Sequence, residues 1–332
     1  MRVAVLHNRV PEAAPLDEAD CLVQKAAVSE ALAALGHAPS EVEFSPDLAS
    51  VIQTLESLRP DLVFNLVESL EGNGRLIYTA PAVLDCLGLP YTGCRTEAIV
   101  LTSNKLAAKR TLRAAGLPTP AWIGMEDVRG RRDATQGVYI IKSVWEHASV
   151  GLDEDSVICV STAQRLRAEL ARRARTMGGA WFAETFIDGR EFNLSLLDGP
   201  RGPRVLPPAE ILFEGYPREK PKVVGYRAKW LEGSFEYSHT VRSFRFTARD
   251  RPLLRELKEL ALTCWRIFSL RGYARVDFRV DQDGQPWVLE VNANPCISPD
   301  SGFVAAARAA GLGYARTIEK IVQASLAEKT PC

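Results

Sequence analysis

Two carboxylates and an amide, at Asp277, Glu290 and Asn292, are spaced so that they could share a divalent cation. The stretch Tyr273-Ala-Arg275-Val-Asp277-Phe-Arg279-Val280 alternates, Asp281-Gln-Asp283-Gly284 follows, and Gln285-Pro-Trp287-Val-Leu-Glu290-Val-Asn292 alternates again. Asp-Gly between two alternating runs is a strong hairpin signature. A two-residue turn at Asp283-Gly284 sets Asp277 across from Glu290 and Arg275 across from Asn292. A four-residue turn shifts the register but keeps all four side chains on one face, whereas a three-residue loop turns one strand over and separates them. Facing carboxylates repel unless something positive lies between them. Two carboxylates and an amide oxygen suit Mg²⁺, which fills the rest of its octahedron with water and phosphate oxygens. The competing reading is a solvated strand face with scattered charges.

Lys142 closes an apolar strand at 138–141 and leads into Ser143-Val-Trp-Glu146-His-Ala-Ser149-Val150-Gly151. A lysine leaving a buried strand into a small-residue loop can reach a phosphate, and can equally be merely solvated. No Gly-Lys pair occurs, which excludes a Walker-type P-loop, and no Gly-x-Gly-x-x-Gly marks a dinucleotide site. The seven cysteines are scattered without a Cys-x-x-Cys and the histidines number four, so neither a disulfide framework nor a His/Cys metal centre is implied.

These residues need elements to hold them. Over the first hundred residues strands at 3–6, 42–44 and 62–64 alternate with helices at 21–35, 47–58 and 76–87, the pattern of a parallel, doubly wound sheet. A second segment begins near Ser103 with a helix at 104–115, then strands at 121–124 and 138–141, a polar, mobile loop at 129–137, a helix at 163–174 and a strand at 181–186. From Phe192 onward the pattern is mostly strands. One long helix follows, carrying Leu253, Leu257, Leu260, Ala261, Cys264, Trp265 and Phe268 on one stripe, and an amphipathic helix closes the chain at 314–326.

The 332 residues are enough for two or three domains around a shared site. Lys+Arg and Asp+Glu both number 41, and no basic run suggests a nucleic-acid or membrane partner. The opening Met1-Arg2-Val3-Ala4-Val5-Leu6 enters a strand directly and lacks the apolar core of a signal peptide, and no run approaches the ~18 apolar residues of a spanning helix. A cytoplasmic location is expected.

Leu89-Pro90-Tyr91-Thr92-Gly93, Asn104-Lys105, Ile141-Lys142, Glu191-Phe192 and Leu289-Glu290-Val291-Asn292-Ala293-Asn294-Pro295, taken in order, resemble the D-alanine:D-alanine ligase family of the ATP-grasp superfamily. The resemblance implies a mixed α/β and α+β fold. An N-terminal doubly wound domain on the substrate side would span 1–100, and two α+β domains, 101–188 and 189–330, would sandwich ATP. It implies a ligase that activates a carboxylate as an acyl phosphate and joins it to an amine, with small amino-acid, peptide or amine substrates and a homodimeric assembly. Lys105, Lys142 and Lys229 would contact the nucleotide phosphates, with Ser149 in the small loop over them. Glu184, Phe186 and Ile187 would line the adenine and Glu191 would hold the ribose. Asp277, Glu290 and Asn292 would bind two Mg²⁺, Mn²⁺ being an acceptable substitute, and Arg275 and Lys229 would face the transferred phosphoryl. Backbone N–H groups near Asn294 to Cys296 would help hold the oxyanion.

The substrate half departs from the family. Its glutamate, serine and tyrosine trio is missing: the small loop has Ala148, Trp230 follows Lys229, and the N-terminal acid falls among Glu18, Ala19 and Asp20. Ser301 matches the serine for the second substrate's carboxylate, but Gly302 stands where the family has a larger apolar residue, and Cys296 replaces a glycine as a small packing residue. Glu68 and Glu71 are candidates for a substrate ammonium. A different, larger substrate pair is therefore expected, the alternatives being D-alanyl-D-alanine synthesis itself and a non-catalytic ATP-binding module.

Overall fold

The computed structural model describes residues 1–11, 13–130 and 136–326. The polar loop expected at 129–137 falls largely outside them, as do the last residues of the expected C-terminal domain.

Val3, Ala4, Val5 and Leu6 are at most 1% exposed, an apolar run buried on both faces that belongs at the centre of a parallel sheet. It lies in β1 (Arg2–Asn8), flanked through α1 (Leu16–Ala34), β2 (Ala38–Phe44), α2 (Leu48–Leu58) and β3 (Leu62–Asn65) in the parallel order β2-β1-β3. Asp47 caps α2 by accepting from the Ser50 N–H. The helix expected at 76–87 is shorter: Gly74–Leu76 forms a 3₁₀ turn capped by Asn73, and α3 runs only from Thr79 to Cys86. The helix expected at 21–35 starts earlier, at Leu16, with Asp17 and Glu18 in its first turn where the helix dipole favours them.

The next stretch carries α4 (Thr96–Ser103), α5 (Lys105–Ala114), β4 (Trp122–Gly124), α6 (Met125–Gly130), β5 (Gly137–Ser143), β6 (Val157–Val160), α7 (Ala163–Met177) and β7 (Trp181–Thr185). Its strands form an antiparallel sheet, β4-β7-β5-β6. Helix α4 was not legible in the sequence, because its apolar positions show almost no sidedness.

The remainder holds β8 (Arg190–Leu197), β9 (Arg204–Val205), β10 (Ala209–Phe213), α8 (Tyr226–Trp230), α9 (Phe235–His239), β11 (Thr240–Ser243), α10 (Arg251–Ile267), β12 (Tyr273–Val280), β13 (Pro286–Asn292), α11 (Gly302–Ala309) and α12 (Tyr314–Leu326). Its sheet runs β11-β10-β8-β12-β13, with β9 added to β8. The expected stripe of α10 is the face it buries: Leu257, Ala261, Cys264, Trp265 and Phe268 pack on Phe192, Leu194, Val276 and Phe278 of the sheet. Opposite that core, the middle of the other sheet face is polar, formed by Glu191, Asn193, Arg275, Asp277, Arg279, Glu290 and Asn292. No helix among the described residues is long and apolar enough to cross a membrane.

The β12–β13 hairpin corrects the expected turn. Asp281 N–H donates to the Gln285 carbonyl and Gly284 N–H to the Asp281 carbonyl, which closes a three-residue loop over Gln282, Asp283 and Gly284. Val280 therefore pairs with Pro286 and Phe278 with Val288, one residue off the two-residue register. Left alone, this loop would have turned Glu290 away from Asp277. A β-bulge after Asp277 absorbs one extra residue, Leu289, and beyond it Asp277 pairs with Glu290 and Arg275 with Asn292. β13 is an edge strand, and its outer edge is covered: Val288 N–H donates to the Pro118 carbonyl, and Thr119 Oγ1 donates to the Val288 carbonyl.

Candidate active site

The polar face of the large sheet forms the floor of a cavity of about 510 Å³. β8 contributes Glu191 and Asn193, β12 Arg275, Asp277 and Arg279, and β13 Glu290 and Asn292. Period-2 alternation puts these side chains on one face while their neighbours enter the core. Lys142 and Glu184 come from the four-stranded sheet, Lys105 from the start of α5, and Asp20 and Glu68 from the N-terminal region.

Each carboxylate of the facing pair has its own cation. Arg275 donates to both oxygens of Asp277 at 2.8 Å, and Asn193 Nδ2 donates to Oδ1 at 2.8 Å. Glu290 Oε1 lies 3.4 Å from Lys105 Nζ and 3.7 Å from His147 Nδ1, yet it is buried without a hydrogen bond. Burial opposes ionisation of Glu290, but Lys105, His147 and Lys229 outweigh it and hold the carboxyl well below the usual range. Burial works against charge on Arg275 too, and Asp277 and Glu290 reverse it, so its value is raised. Burial and Arg275 push Lys229 below the ordinary lysine value, with Glu290, Asp277 and Glu191 opposing.

The lysines are placed by local structure. Asn104 caps α5 by accepting from the Ala107 N–H at 3.0 Å, which fixes Lys105 as its first residue, and Lys105 Nζ donates to the Glu146 carbonyl at 2.5 Å. Lys142 donates to Glu184 Oε2 at 2.9 Å. Glu184, expected along the adenine, does reach the cavity wall, but its carboxylate is 1% exposed and taken by two lysines, with Lys109 Nζ 3.2 Å from Oε1. A carboxylate at that depth needs charge partners. Burial pushes Lys109 down to about 8 against the pull of Glu184. Phe186 and Ile187 line the cavity beside Ile140, Ile211 and Val223, an apolar wall. Glu191 pairs with Arg279 at 2.8 Å, and Arg279 also donates to the carbonyls of Gly189 and Lys222.

Two loops lock over this half. Ser149 Oγ donates to the Val224 carbonyl at 2.9 Å, Trp230 Nε1 donates to the Ala148 carbonyl at 2.9 Å, and Tyr226 N–H donates to the Leu152 carbonyl at 2.7 Å. Gly225 is the point of closest approach, where a methyl group would stand 2.5 Å from Asp153 Oδ1 and 2.6 Å from the Leu152 carbonyl.

At the other end Asp20 accepts from Ser298 Oγ at 2.9 and 3.0 Å and from Cys296 Sγ at 3.2 Å. Of the three N-terminal positions left open by the sequence, Asp20 is the one that lines the cavity. Burial, then Glu68 and Asp20, raise the Cys296 thiol well above its ordinary value, so it stays protonated. Glu68 lines the cavity and accepts from Gln24 Nε2 at 3.1 Å, and burial brings its carboxyl up to about 7. Glu71 does not: it is exposed outside the cavity at φ 50°, paired with Arg9 at 2.6 Å, so it is withdrawn as a substrate contact. Ser301 and Gly302 line the cavity at the start of α11, the Ser301 hydroxyl accepting the Val304 N–H at 3.3 Å. Lys109, His147, Arg242 and Arg279 also border or support the site without having been singled out. Only Arg279, two positions from Asp277 on the same strand face, was readable from spacing.

The family described as D-ala D-ala ligase C-terminus matches residues 112–323. The D-alanine--D-alanine ligase of Moorella thermoacetica is 30% identical over 98% of this chain and 99% of its own. That of Gluconobacter oxydans is 32% identical over 98% of this chain and 100% of its own. Among solved structures, the Bacillus anthracis D-alanine--D-alanine ligase complexed with ATP superposes with a TM-score of 0.72, at 20% identity over 98% of both chains.

Proposed function

Because the chain belongs to the D-alanine–D-alanine ligase family, we propose that it is an ATP-dependent carboxylate–amine ligase. It phosphorylates a substrate carboxylate and transfers the acyl group to an amine, releasing ADP and phosphate. The observation that carries this reading is the charge arrangement in one cavity. Asp277 and Glu290 face each other amid Lys105, Lys142, Lys229 and Arg275.

A carboxylate cannot expel oxide, so it must first gain a better leaving group. Phosphoryl transfer asks the protein for positioning and for positive charge around the moving group. Lys105 and Lys142 are held for this by the Glu146 carbonyl and Glu184, and Arg275 by Asp277. The ammonium of Lys229 makes no hydrogen bond or ion pair among the described residues and is open to a phosphate. Phe186 and Ile187 would receive the base and Glu191 the ribose. The unbonded Glu290 Oε1, with Asp277 and Asn292, is a donor set that fits Mg²⁺. Bound there, Mg²⁺ would neutralise phosphate charge. The latched loops would exclude water from the acyl phosphate. At the far end Asp20 and Glu68 present acid to a substrate ammonium, and Ser301 stands by the acceptor's α-carboxylate. In this reading residues 1–100 serve the substrate side, and 101–188 and 189–330 close on the nucleotide.

A substrate pair other than two D-alanines is favoured by the Trp230 indole, which is tied to the Ala148 carbonyl where the family's side-chain trio would be. The test is phosphate release from Mg²⁺-ATP across an amino-acid panel, with ¹⁸O in the donor carboxylate. Release that needs an amino acid, with label passing to phosphate, is expected. Release without one, or label kept wholly in the product, would sink the proposal, and turnover with D-alanine alone would restore the family's own pair.

A further inference from the structure

Arg242 lies on β11, the edge strand of the large sheet, opposite Ile211 of β10, and its side chain lines the cavity. The guanidinium rests on Gly302. A methyl group there would stand 3.5 Å from one terminal nitrogen, 3.7 Å from Nε and 3.8 Å from Cζ. Those are ordinary packing distances, so a methyl would fit beneath the guanidinium, whereas the branched end of a larger apolar residue would extend beyond Cβ into the place it takes.

The Arg242 side chain makes no hydrogen bond or ion pair among the described residues. Desolvation first, then Arg275, disfavour its charge, and Asp300, also on the cavity wall, favours it without an ion pair. Arg275 is held on Asp277 through two bonds, at the phosphoryl end of the cavity. Arg242 is solvent-accessible on the cavity wall, close to Arg275 and held by no ion pair, so its guanidinium is placed to meet an incoming anion. The planar fork suits a carboxylate bidentately. The phosphate-facing cations gather around Asp277 and Glu290, whereas Arg242 stands at the start of α11, next to Ser301.

We propose that Arg242 is a specificity-determining residue that receives a second, side-chain carboxylate of the amine substrate, so that the acceptor is an acidic amino acid. The proposal rests on the ligase reading above, in which Ser301 takes the acceptor's α-carboxylate. Gly302 and Arg242 then act as a unit: the glycine vacates the wall and the arginine fills it with charge.

The test is calorimetric titration of the full chain, saturated with Mg²⁺ and a non-hydrolysable ATP analogue. The ligands are D- and L-aspartate and glutamate, each compared with its amide. At least one acid should bind about tenfold or more tighter than its amide, the difference one charge-assisted pair supplies. Arg242→Gln should bring the ratio to within about threefold of unity, and Arg242→Lys should restore part of it, since it keeps the charge but loses the fork. Gly302→Leu should erase the preference with the arginine still present. Amides binding as tightly as acids, a preference that survives Arg242→Gln, or no binding by any of the eight would each overturn the proposal. Because the titration needs no turnover, a chain that prefers acids yet releases no phosphate with any amino acid would fail as a ligase while keeping Arg242 as an acid receptor.

Discussion

Asp277 and Glu290 coexist on one sheet face because Arg275 grips the first, while Lys105 and His147 flank the second. Glu290→Gln removes one unit of charge with almost no change of shape. We expect turnover to fall roughly a thousandfold or more with nucleotide affinity largely kept, because the apolar wall at Phe186 and Ile187 is untouched. Asp277→Asn should do the same and the double variant little worse, as for residues that act as one unit. Near-normal kcat in either single variant at saturating Mg²⁺-ATP would overturn the metal assignment. Glu68 is readable in solution without any substrate. Burial first, then Asp20 and Asp17, raise its carboxyl to about 7 from 4.5, against Gln24 and Arg275. Between those values the folded chain holds a proton that the unfolded chain has released, so stability falls as pH rises through that window. Glu68→Gln should remove this component, shrinking the stability difference between pH 5 and 7.5 by up to about 3 kcal/mol in urea unfolding. An unchanged difference would mean that Glu68 is ionised throughout.

At the scale of elements, the hairpin shows how the site was legible and why only in part. Alternation in β12 and β13 and the Asp-Gly dipeptide revealed the strands, the turn and the facing acids. The turn itself is a three-residue loop, held by Asp281, whose carboxylate accepts from the Asp283 and Gln285 N–H groups and Trp287 Nε1. The bulge at Leu289 then restores the expected face, and the single Leu among alternating residues carried no mark of it. The pairing was right because two departures from a simple ladder cancel. Arg242 was unreadable for another reason: β11 is four residues long with no fully buried position, so it shows no period. Buried partners such as Lys109 look like any helix lysine until the fold brings Glu184 against them. Gly284 sits at φ 84° with open space around it, so Gly284→Val should cost about 1–2 kcal/mol through backbone strain alone and Gly284→Asn much less. Chemical denaturation checks this. Equal losses for Val and Asn would mean that the left-handed conformation is not what the turn requires.

At the scale of the whole molecule, the cavity borrows side chains from every sheet region: Asp20 and Glu68 near the parallel sheet, Lys142 and Glu184 on the four-stranded sheet, and the acidic pair on the large one. A ligand that touches all of them is bound by the folded chain and not by the unfolded one, so it must raise stability by mass action. At a hundredfold excess over its Kd, Mg²⁺-ATP should add about 2.7 kcal/mol. For a chain of 332 residues that corresponds to a rise in Tm of about 4 °C. ATP with a chelator should give a smaller rise, since Asp277 and Glu290 then meet the phosphates without an intervening cation and repel them. Glu290→Gln should narrow the gap between the two conditions, because it removes both the metal's ligand and half of that repulsion. A Tm unmoved by saturating Mg²⁺-ATP would remove the nucleotide from the cavity altogether. An equal rise with and without Mg²⁺ would leave the nucleotide in place and assign its phosphates to Lys105, Lys142 and Lys229 alone.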